Sequence, residues 1–322
     1  MDIYVACIPK LVTGGIELLH QLTAELNGYE GINAYIWFPD WFGAYIPEPY
    51  KEYGNTFAVT KKPDKGSVLV FPEVMVDRAN SYDYKDYTKV LYFESVDWYL
   101  HWIPKNQYLV FPKDAIFLAQ SYYAMEFVEK NTGIRPIYVT DYLNDEYMNA
   151  DLSKPRKRQI LYNPKKGLEV TKRIMAELPD EKFIPIEKMT TTQVKNLMEE
   201  SMLYIDFGNH PGKDRIPREA AMCGCCVITN CQGSANYFED VPIPFVYKFP
   251  DNFIHEVPKQ IVLSLDNYDV LNSDFELYRE MIKSEKKRFK HGVAELVDRL
   301  RGIKLFAERK NDAALDKRNG QK

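Results

Sequence analysis

Ionisable side chains crowd into segment 210–219, which reads His-Pro-Gly-Lys-Asp-Arg-Ile-Pro-Arg-Glu. Pro217 suits the first position of a helix and Gly224 suits its end, which predicts a helix of about two turns with Glu219 in its first turn. A helix N-terminus attracts anions through its free N–H groups and partial positive charge. The residues directly ahead of this helix are Gly212, Lys213 and Arg215. The segment is therefore a candidate phosphate site; the alternative is a plain capping pattern among solvated charges.

Strands on either side would fix segment 210–219 at one edge of a sheet. The apolar runs Met202–Asp206 and Cys225–Thr229 predict the strands before and after it. Earlier in the same half, Gln159–Tyr162 predicts a strand and Leu168–Glu177 a helix, joined by the turn Asn-Pro-Lys-Lys-Gly. Parallel α/β sheets bind ligands at the carboxyl ends of their strands, where both the turn and the segment fall.

The first half of the chain shows the same alternation of strands and helices. The apolar run Ile3–Ile8 is followed by a turn with Gly14 and Gly15, and then by the helical stripe of Ile16–Leu26. Further short apolar runs at the spacing of parallel strands are 34–38, 67–71, 89–93, 115–119 and 136–139. Together the two halves predict an α/β fold of two doubly wound, Rossmann-like domains that face each other across a cleft.

The length of the chain supports this division. A chain of 322 residues is too long for one ordinary core, and the polar stretch 140–158 interrupts the strand rhythm near its middle. We predict an N-terminal domain over 1–150 and a second domain over 151–275. A C-terminal helical extension follows over 276–322, and its last residues, 311–322, are expected to form a frayed polar tail.

The composition excludes several classes of protein. The net charge of −4 argues against a general nucleic-acid binder. No run approaches the roughly 18 to 20 apolar residues that cross a bilayer. The segment Met1–Cys7 has no basic residues and goes directly into a strand pattern, so no signal peptide is expected.

The cysteines indicate a reducing compartment. There are five of them, and four lie between Cys223 and Cys231, which does not suit a disulfide framework. Their spacing, Cys-x-Cys-Cys-x4-Cys, is not a usual zinc pattern, and in a buried strand cysteine acts as a small apolar residue. We therefore expect a cytoplasmic protein without a metal site.

Segment 279–310 combines basic charge with helical periodicity. It contains eleven Lys and Arg residues against five Asp and Glu residues. The apolar residues that recur at helical spacing are Phe289, Val293, Leu296, Val297, Leu300 and Ile303. Two interpretations fit this basic amphipathic helix. It could make a peripheral contact with the inner face of a membrane, or it could pack on the protein with its basic face in water.

Three motifs, taken in order, resemble the GT-B glycosyltransferases of the group that includes glycogen and sucrose synthases. Thr-Gly-Gly-Ile-Glu at 13–17 looks like that group's N-terminal glycine turn. Lys-Lys-Gly at 165–167 is similar to its basic turn in the second domain. Glu-Ala-Ala-Met-Cys-Gly-Cys-Cys-Val-Ile at 219–228 looks like its Glu-Ala-Met-Ala-x-Gly-x-Pro-Val-Val block. The resemblance covers nearly the whole chain in layout, but only these segments in residues.

The resemblance implies an enzyme that uses a nucleotide-diphosphate sugar as donor substrate, with no cofactor and no metal. Glu219 would accept hydrogen bonds from the ribose hydroxyls. Lys165 or Lys166 would neutralise the diphosphate and help it leave. Further donor contacts are implied for Gly14, Gly15, Gly212, Lys213, Arg215, Gly233 and Ser234.

One position departs from the group's Glu-x7-Glu pair, because Pro211 stands eight residues before Glu219. The donor-sugar contact of the missing carboxylate is then absent or supplied by His210 or Asp214. The stereochemistry of the group cannot be carried over, and a reaction with inversion needs a general base on the acceptor hydroxyl. The carboxylates predicted at strand ends of the first domain are Glu73, Glu94 and Asp97. Each of them could equally be a solvated or capping group.

The sequence thus predicts transfer of a sugar to a glycan or lipid-linked acceptor, in the synthesis of a polysaccharide or glycoconjugate. Two other functions stay open. A nucleotide-sugar epimerase of the same fold would act without an acceptor. A noncatalytic nucleotide- or sugar-binding protein, which Pro211 favours, would bind without turnover.

Overall fold

The computed structural model describes residues 1–9, 12–39, 45–54, 58–97, 100, 111–112 and 114–319. The first domain holds seven parallel strands: β1 (Asp2–Ala6), β2 (Asn33–Trp37), β3 (Ala58–Val59), β4 (Val68–Pro72), β5 (Thr88–Phe93), β6 (Ile116–Ala119) and β7 (Ile137–Tyr138). Their order in the sheet is β3-β2-β1-β4-β5-β6-β7. The order runs outward in both directions from β1 and β4, so the sheet is doubly wound.

Both faces of this sheet are covered. The α-helices with bounds inside the described ranges of the first domain are α1 (Gly14–Leu26), α2 (Val76–Ala79) and α3 (Tyr122–Thr132). Every residue of β4 and β6 is buried. A strand buried on both faces reads as a continuous apolar run rather than an alternating one, which is why the sequence shows these strands clearly.

The second domain holds five parallel strands: β8 (Lys157–Tyr162), β9 (Phe183–Pro185), β10 (Ser201–Asp206), β11 (Cys226–Asn230) and β12 (Lys248–Phe249). Their order is β12-β11-β10-β8-β9, so the prediction of two doubly wound sheets is confirmed. The helices in this part are α4 (Asp145–Met148), α5 (Leu168–Glu177), α6 (Thr191–Glu199), α7 (Arg215–Met222), α8 (Val257–Asp266) and α9 (Tyr268–Leu271). Because β8 and β10 are neighbours, the turns that follow them lie side by side.

Helix α7 begins two residues earlier than predicted. Asp214 is its N-cap residue, so Pro217 is the third helical residue and Glu219 the fifth. The prediction that Glu219 lies in the first turn was therefore wrong. Proline is tolerated at the third position because the first N–H groups of a helix have no partner within it. Gly224 follows the end of the helix with a φ of 85°, as its type suggests.

The C-terminal helix α10 (Glu276–Asn319) spans both domains. Its first turns enter the core of the second domain through Tyr278, Met281 and Ile282. Further along, it completes the core of the first domain through Phe289, Val293, Leu296, Val297 and Leu300. The apolar stripe is thus packed on the protein as far as Leu300, and that part is not available to a membrane.

The helix continues into the predicted polar tail. Residues 311–319 are helical, and 320–322 lie outside the described residues, so fraying of this segment stays a prediction. In the part of the chain with described structure, every helix is too short or too polar to cross a bilayer.

Candidate functional site

The turn after β8 and the loop after β10 touch each other at two glycines. A Cβ atom on Gly167 would come within 2.3 Å of the Phe207 backbone, and one on Gly208 within 2.4 Å of Lys166 Cβ. Gly167 also has a φ of 59°, which residues with a side chain disfavour. This close contact brings Lys166 to the loop that carries His210.

Lys166, Asp206, His210 and Asp214, which we call the Lys166 cluster, meet at this edge of the second sheet. Lys166 Nζ lies 2.6 Å from Asp214 Oδ1, and His210 Nδ1 lies 2.9 Å from Asp214 Oδ2. His210 Nε2 faces Asp206 Oδ1 at 3.9 Å and has no hydrogen-bond partner in the described part of the chain. The side chain of Lys166 is 32% exposed, so it is not enclosed by the protein. Three predicted site residues therefore lie together.

The charges of the Lys166 cluster balance one another. Burial disfavours a charged His210, but contact with Asp214 and the charge of Asp206 outweigh it and raise its pKa above the ordinary value. Burial also works against a charged Asp214, yet His210 and Lys166 hold the pKa of this carboxyl below its ordinary value. The neighbouring carboxyl groups thus favour the charged form of His210, and His210 and Lys166 favour the charged form of Asp214.

The same cluster has the composition of a divalent metal site. Asp206, His210 and Asp214 offer ligand atoms that all lie within 4.8 Å of one another. Lys166 already supplies a positive charge to Asp214, so this carboxyl group has a cationic partner without a metal ion. The expectation that the protein needs no metal stays a prediction.

Glycines bring the first domain against this loop. A Cβ on Gly15, at the start of α1, would come within 2.3 Å of Glu94 Oε2, and one on Gly212 within 2.1 Å of the Glu94 carbonyl oxygen. Gly14 lies against Arg215, whose Cδ would be 3.0 Å from an added Cβ. The glycine turn, Glu94 and Gly212 therefore meet where the two domains touch.

Backbone hydrogen bonds from the first domain hold the same loop. Val96 N donates to the Pro211 carbonyl oxygen at 2.8 Å. Lys213 N donates to Gln120 Oε1 at 2.9 Å. The position of the loop is thus set by both domains.

The turn after β11 in the second domain also contacts segment 210–219. Ser234 Oγ donates to the Gly212 carbonyl oxygen at 2.6 Å, and Ser234 N donates to the His210 carbonyl oxygen at 2.9 Å. A Cβ on Gly233 would come within 1.9 Å of that same His210 oxygen. The structure therefore places Gly233 and Ser234 under the loop, where they position it.

Lys213 is buried in ion pairs, in contrast to its predicted place at the phosphate. Its Nζ lies 2.7 Å from Glu285 of α10, and both side chains are almost fully buried. Arg218 lies 2.7 Å from the same Glu285 and 2.7 Å from Asp141. The loop turns Lys213 toward the first domain and α10, so its charge is neutralised within the protein.

Arg215 was also predicted to contact the phosphate, and its side chain likewise pairs with a carboxylate of the protein. It forms an ion pair with Glu17 of α1 and donates to the Tyr142 carbonyl oxygen at 3.1 Å. Its guanidinium group therefore ties the second domain to the first.

The other predicted residues lie apart from the Lys166 cluster. Lys165 is exposed, and only Lys166 of the pair turns toward the loop. Asp97 accepts a hydrogen bond from the Tyr123 hydroxyl at 2.9 Å. Its side chain therefore already has a partner within the first domain.

Glu219 lies one turn beyond Arg215 in α7, and its carboxyl group forms a hydrogen bond with the side chain of Tyr147. Burial raises the pKa of its carboxyl, although Arg215 and Arg218 oppose this shift. Its proposed contact with a ribose stays a prediction.

Sequence reasoning missed four residues that shape this region. They are Asp141, Asp206, Arg218 and Glu285. The position of Asp206 could have indicated its role, since it ends a predicted strand just before His210. Nothing in the sequence indicates the role of Glu285, because it lies in a strongly basic segment and its partners come from distant parts of the chain.

No protein-family model and no curated protein sequence matches this chain. Solved structures share its architecture. A glycosyltransferase from Rickettsia africae ESF-5 has a TM-score of 0.67 and 13% identity, over 94% of this chain and 98% of that one. Sucrose-phosphate synthase from Thermosynechococcus elongatus has a TM-score of 0.67 and 10% identity, over 94% and 99%. HepE from Anabaena, solved in complex with UDP, has a TM-score of 0.61 and 11% identity, over 94% and 99%. The chain therefore has the GT-B fold, as its motifs indicated.

Proposed function

We propose that this protein is a glycosyltransferase, and that the Lys166 cluster binds the diphosphate of a nucleotide-sugar donor. The observation that carries this proposal is the partly exposed Lys166 held 2.6 Å from Asp214 at the carboxyl edge of the second sheet. A diphosphate oxygen could replace Asp214 as the partner of Lys166, because ammonium groups bind phosphate and carboxylate oxygens alike. HepE, with the same fold, is solved with UDP, which supports a nucleoside diphosphate as the ligand class.

The cluster could also assist the chemistry. When the bond between sugar and diphosphate breaks, negative charge grows on the leaving phosphate oxygen. Lys166 is already in place to stabilise that charge. His210 would add to it in its protonated form, which the neighbouring Asp206 and Asp214 favour. We propose that the cluster acts on the leaving group rather than on the acceptor.

We further propose a glycan or lipid-linked acceptor, reached from the cleft. A peripheral membrane contact would have to use exposed basic side chains of α10, such as Lys287 and Arg288, since the apolar stripe is covered. The five free thiols suit a reducing compartment such as the cytoplasm.

The test compares Lys166→Met with Lys165→Met, its exposed neighbour. Calorimetric titration with UDP, GDP, ADP, CDP and TDP sugars identifies the donor. Lys166→Met should then weaken donor binding by roughly 10- to 100-fold, which corresponds to a charge-assisted hydrogen bond of about 1.5–3 kcal/mol. Lys165→Met should bind like the parent protein. Absence of binding across the panel would contradict the proposed function, and equal losses in both variants would contradict the role of Lys166.

A noncatalytic nucleotide-binding protein is the second candidate. The ion pairs of Lys213 and Arg215 within the protein favour this candidate, because these two basic side chains are already engaged. The Lys166 side chain is more exposed than either of them. Turnover separates the candidates. A transferase consumes the donor faster when a mixture of glycan acceptors is added, an epimerase converts it without acceptor, and a binding protein leaves it intact.

A further inference from the structure

Glu73 and Glu94 lie together at the carboxyl edge of the first sheet, where the loop of the second domain packs, with Glu73 buried and Glu94 half-buried. Glu73 directly follows β4 and Glu94 directly follows β5, and these strands are neighbours in the sheet. Glu73 Oε2 accepts a hydrogen bond from Glu94 N at 3.1 Å, and Glu73 is only 3% exposed. Glu73 thus fixes the backbone from which the Glu94 side chain projects.

The carboxyl group of Glu94 has capacity for a ligand. Its Oε1 atom is buried and has no hydrogen-bond partner among the described residues. A buried polar atom without a partner is unfavourable, so such atoms normally have a reason to be there. Burial, together with the nearby Glu73 and Asp141, raises the pKa of Glu94 well above its ordinary value. A protonated carboxyl can donate as well as accept a hydrogen bond.

Glu94 also lies where the glycine turn of the first domain and segment 210–219 of the second domain meet. Its Oε2 is in close contact with Gly15 at the start of α1, and its carbonyl oxygen is in close contact with Gly212. Gly212 lies two residues from His210 and two from Asp214 in the sequence, so Glu94 and the Lys166 cluster border the same loop. Pro211 brings no polar side chain to this loop, and Glu94 brings one from the opposite domain.

We propose that Glu94 binds a hydroxyl group of the transferred sugar and thereby sets sugar specificity, with Glu73 as its positioning residue. This inference rests on the proposed function, because it assumes that the diphosphate occupies the Lys166 cluster. A sugar hydroxyl both donates and accepts hydrogen bonds, which matches the unpartnered Oε1 atom. The sugar attached to that diphosphate would then approach Glu94 from the side of the Lys166 cluster, because Gly15 and Gly212 themselves are packed against Glu94.

The experiment measures binding of the nucleoside diphosphate and of the matching nucleotide sugar, using whichever pair from the five-base panel binds the parent protein. Glu94→Ala should bind the nucleoside diphosphate within about twofold of the parent and the nucleotide sugar at least about tenfold more weakly, a difference of roughly 1.4 kcal/mol. Glu94→Gln, which keeps the shape of the side chain, should show a smaller loss. Asp77→Ala, which removes an exposed carboxylate four residues after Glu73, serves as the control.

Donors lacking single hydroxyl groups identify the contact. One such donor should bind Glu94→Ala and the parent equally, because both then lack the same hydrogen bond. Glu73→Ala should lose the sugar preference, and Glu73→Gln should retain it through its amide oxygen.

Three results would overturn the inference. They are equal losses for both ligands, no loss for either, or unchanged binding with lost turnover, which would instead make Glu94 the base on the acceptor. If no nucleotide of the panel binds the parent protein, the proposed function fails first.

Discussion

His210 shows how neighbouring carboxyl groups can favour the charged form of a buried residue. It is 2% exposed, yet Asp206 and Asp214 flank its two ring nitrogens. The sequence places all three residues near a predicted strand end, but it does not show which of them touch. That depends on the course of the loop, which contacts from the other domain determine.

The raised pKa of His210 makes stability depend on pH. A group whose pKa is higher in the folded state stabilises the fold fully below its unfolded pKa, which is about 6.5 for histidine. This contribution disappears as the pH rises through the raised folded value. We predict that His210→Gln lowers the free energy of unfolding most below about pH 6.5, and progressively less toward alkaline pH.

Urea denaturation of both proteins between about pH 5.5 and pH 8.5 measures this difference. His255→Gln is a suitable control, because the His255 side chain is 66% exposed. A constant difference between parent and His210→Gln over the whole range would mean that folding does not raise the pKa of His210, and a difference that grows toward alkaline pH would mean that folding lowers it.

At the scale of elements, the site depends on turns that only glycine permits. Gly167 joins β8 to α5 with a positive φ and lies against the backbone of the β10 loop. The strand ends and the bounds of α5 could be read from apolar periodicity and from this glycine. The partners of the Lys213 and Arg215 side chains could not be read from the sequence, because a charged residue in a loop gives no periodic signal.

Gly167→Ala should destabilise the protein and weaken donor binding. The left-handed conformation alone costs a non-glycine residue roughly 1–2 kcal/mol. The contact at 2.3 Å with the Phe207 backbone adds to this cost and would push Lys166 away from Asp214. Gly133→Ala provides the control, since Gly133 has a φ of 70° but open space around an added Cβ.

Thermal unfolding and donor titration of both glycine variants separate strain from the steric effect. Gly133→Ala should lose stability only through the strained φ and bind donor normally. If the two variants lose the same stability and both bind donor normally, the two turns are not in the close contact described here.

At the scale of the whole molecule, the two domains are joined by more than the connecting chain. The ion pairs of Lys213, Arg215 and Arg218 link the second domain to α1, to Asp141 and to α10. The two sheets could be predicted from the two series of apolar runs in the sequence. The packing of α10 against the first domain could not be predicted, because an amphipathic stripe shows that a helix packs but not which surface it packs on.

We predict that Leu296→Ala destabilises the protein by about 2–5 kcal/mol, because Leu296 is fully buried in the core of the first domain. Leu277→Ala should change stability by less than about 0.5 kcal/mol, since Leu277 lies on the same helix but is 55% exposed. Urea denaturation of both variants provides the measurement. Equal effects would show that α10 does not support the first domain.

The path of α10 has a consequence for synthesis on the ribosome. The strands of the first domain end at Tyr138, but part of the apolar core between sheet and solvent is supplied by residues from Phe289 to Leu300. The first domain therefore emerges early and stays incomplete until the entire second domain has been translated. During that interval its uncovered apolar face is a binding surface for chaperones. A nascent chain arrested before α10 should accordingly be cut by protease in both domains, and release of the last helix should protect both at once.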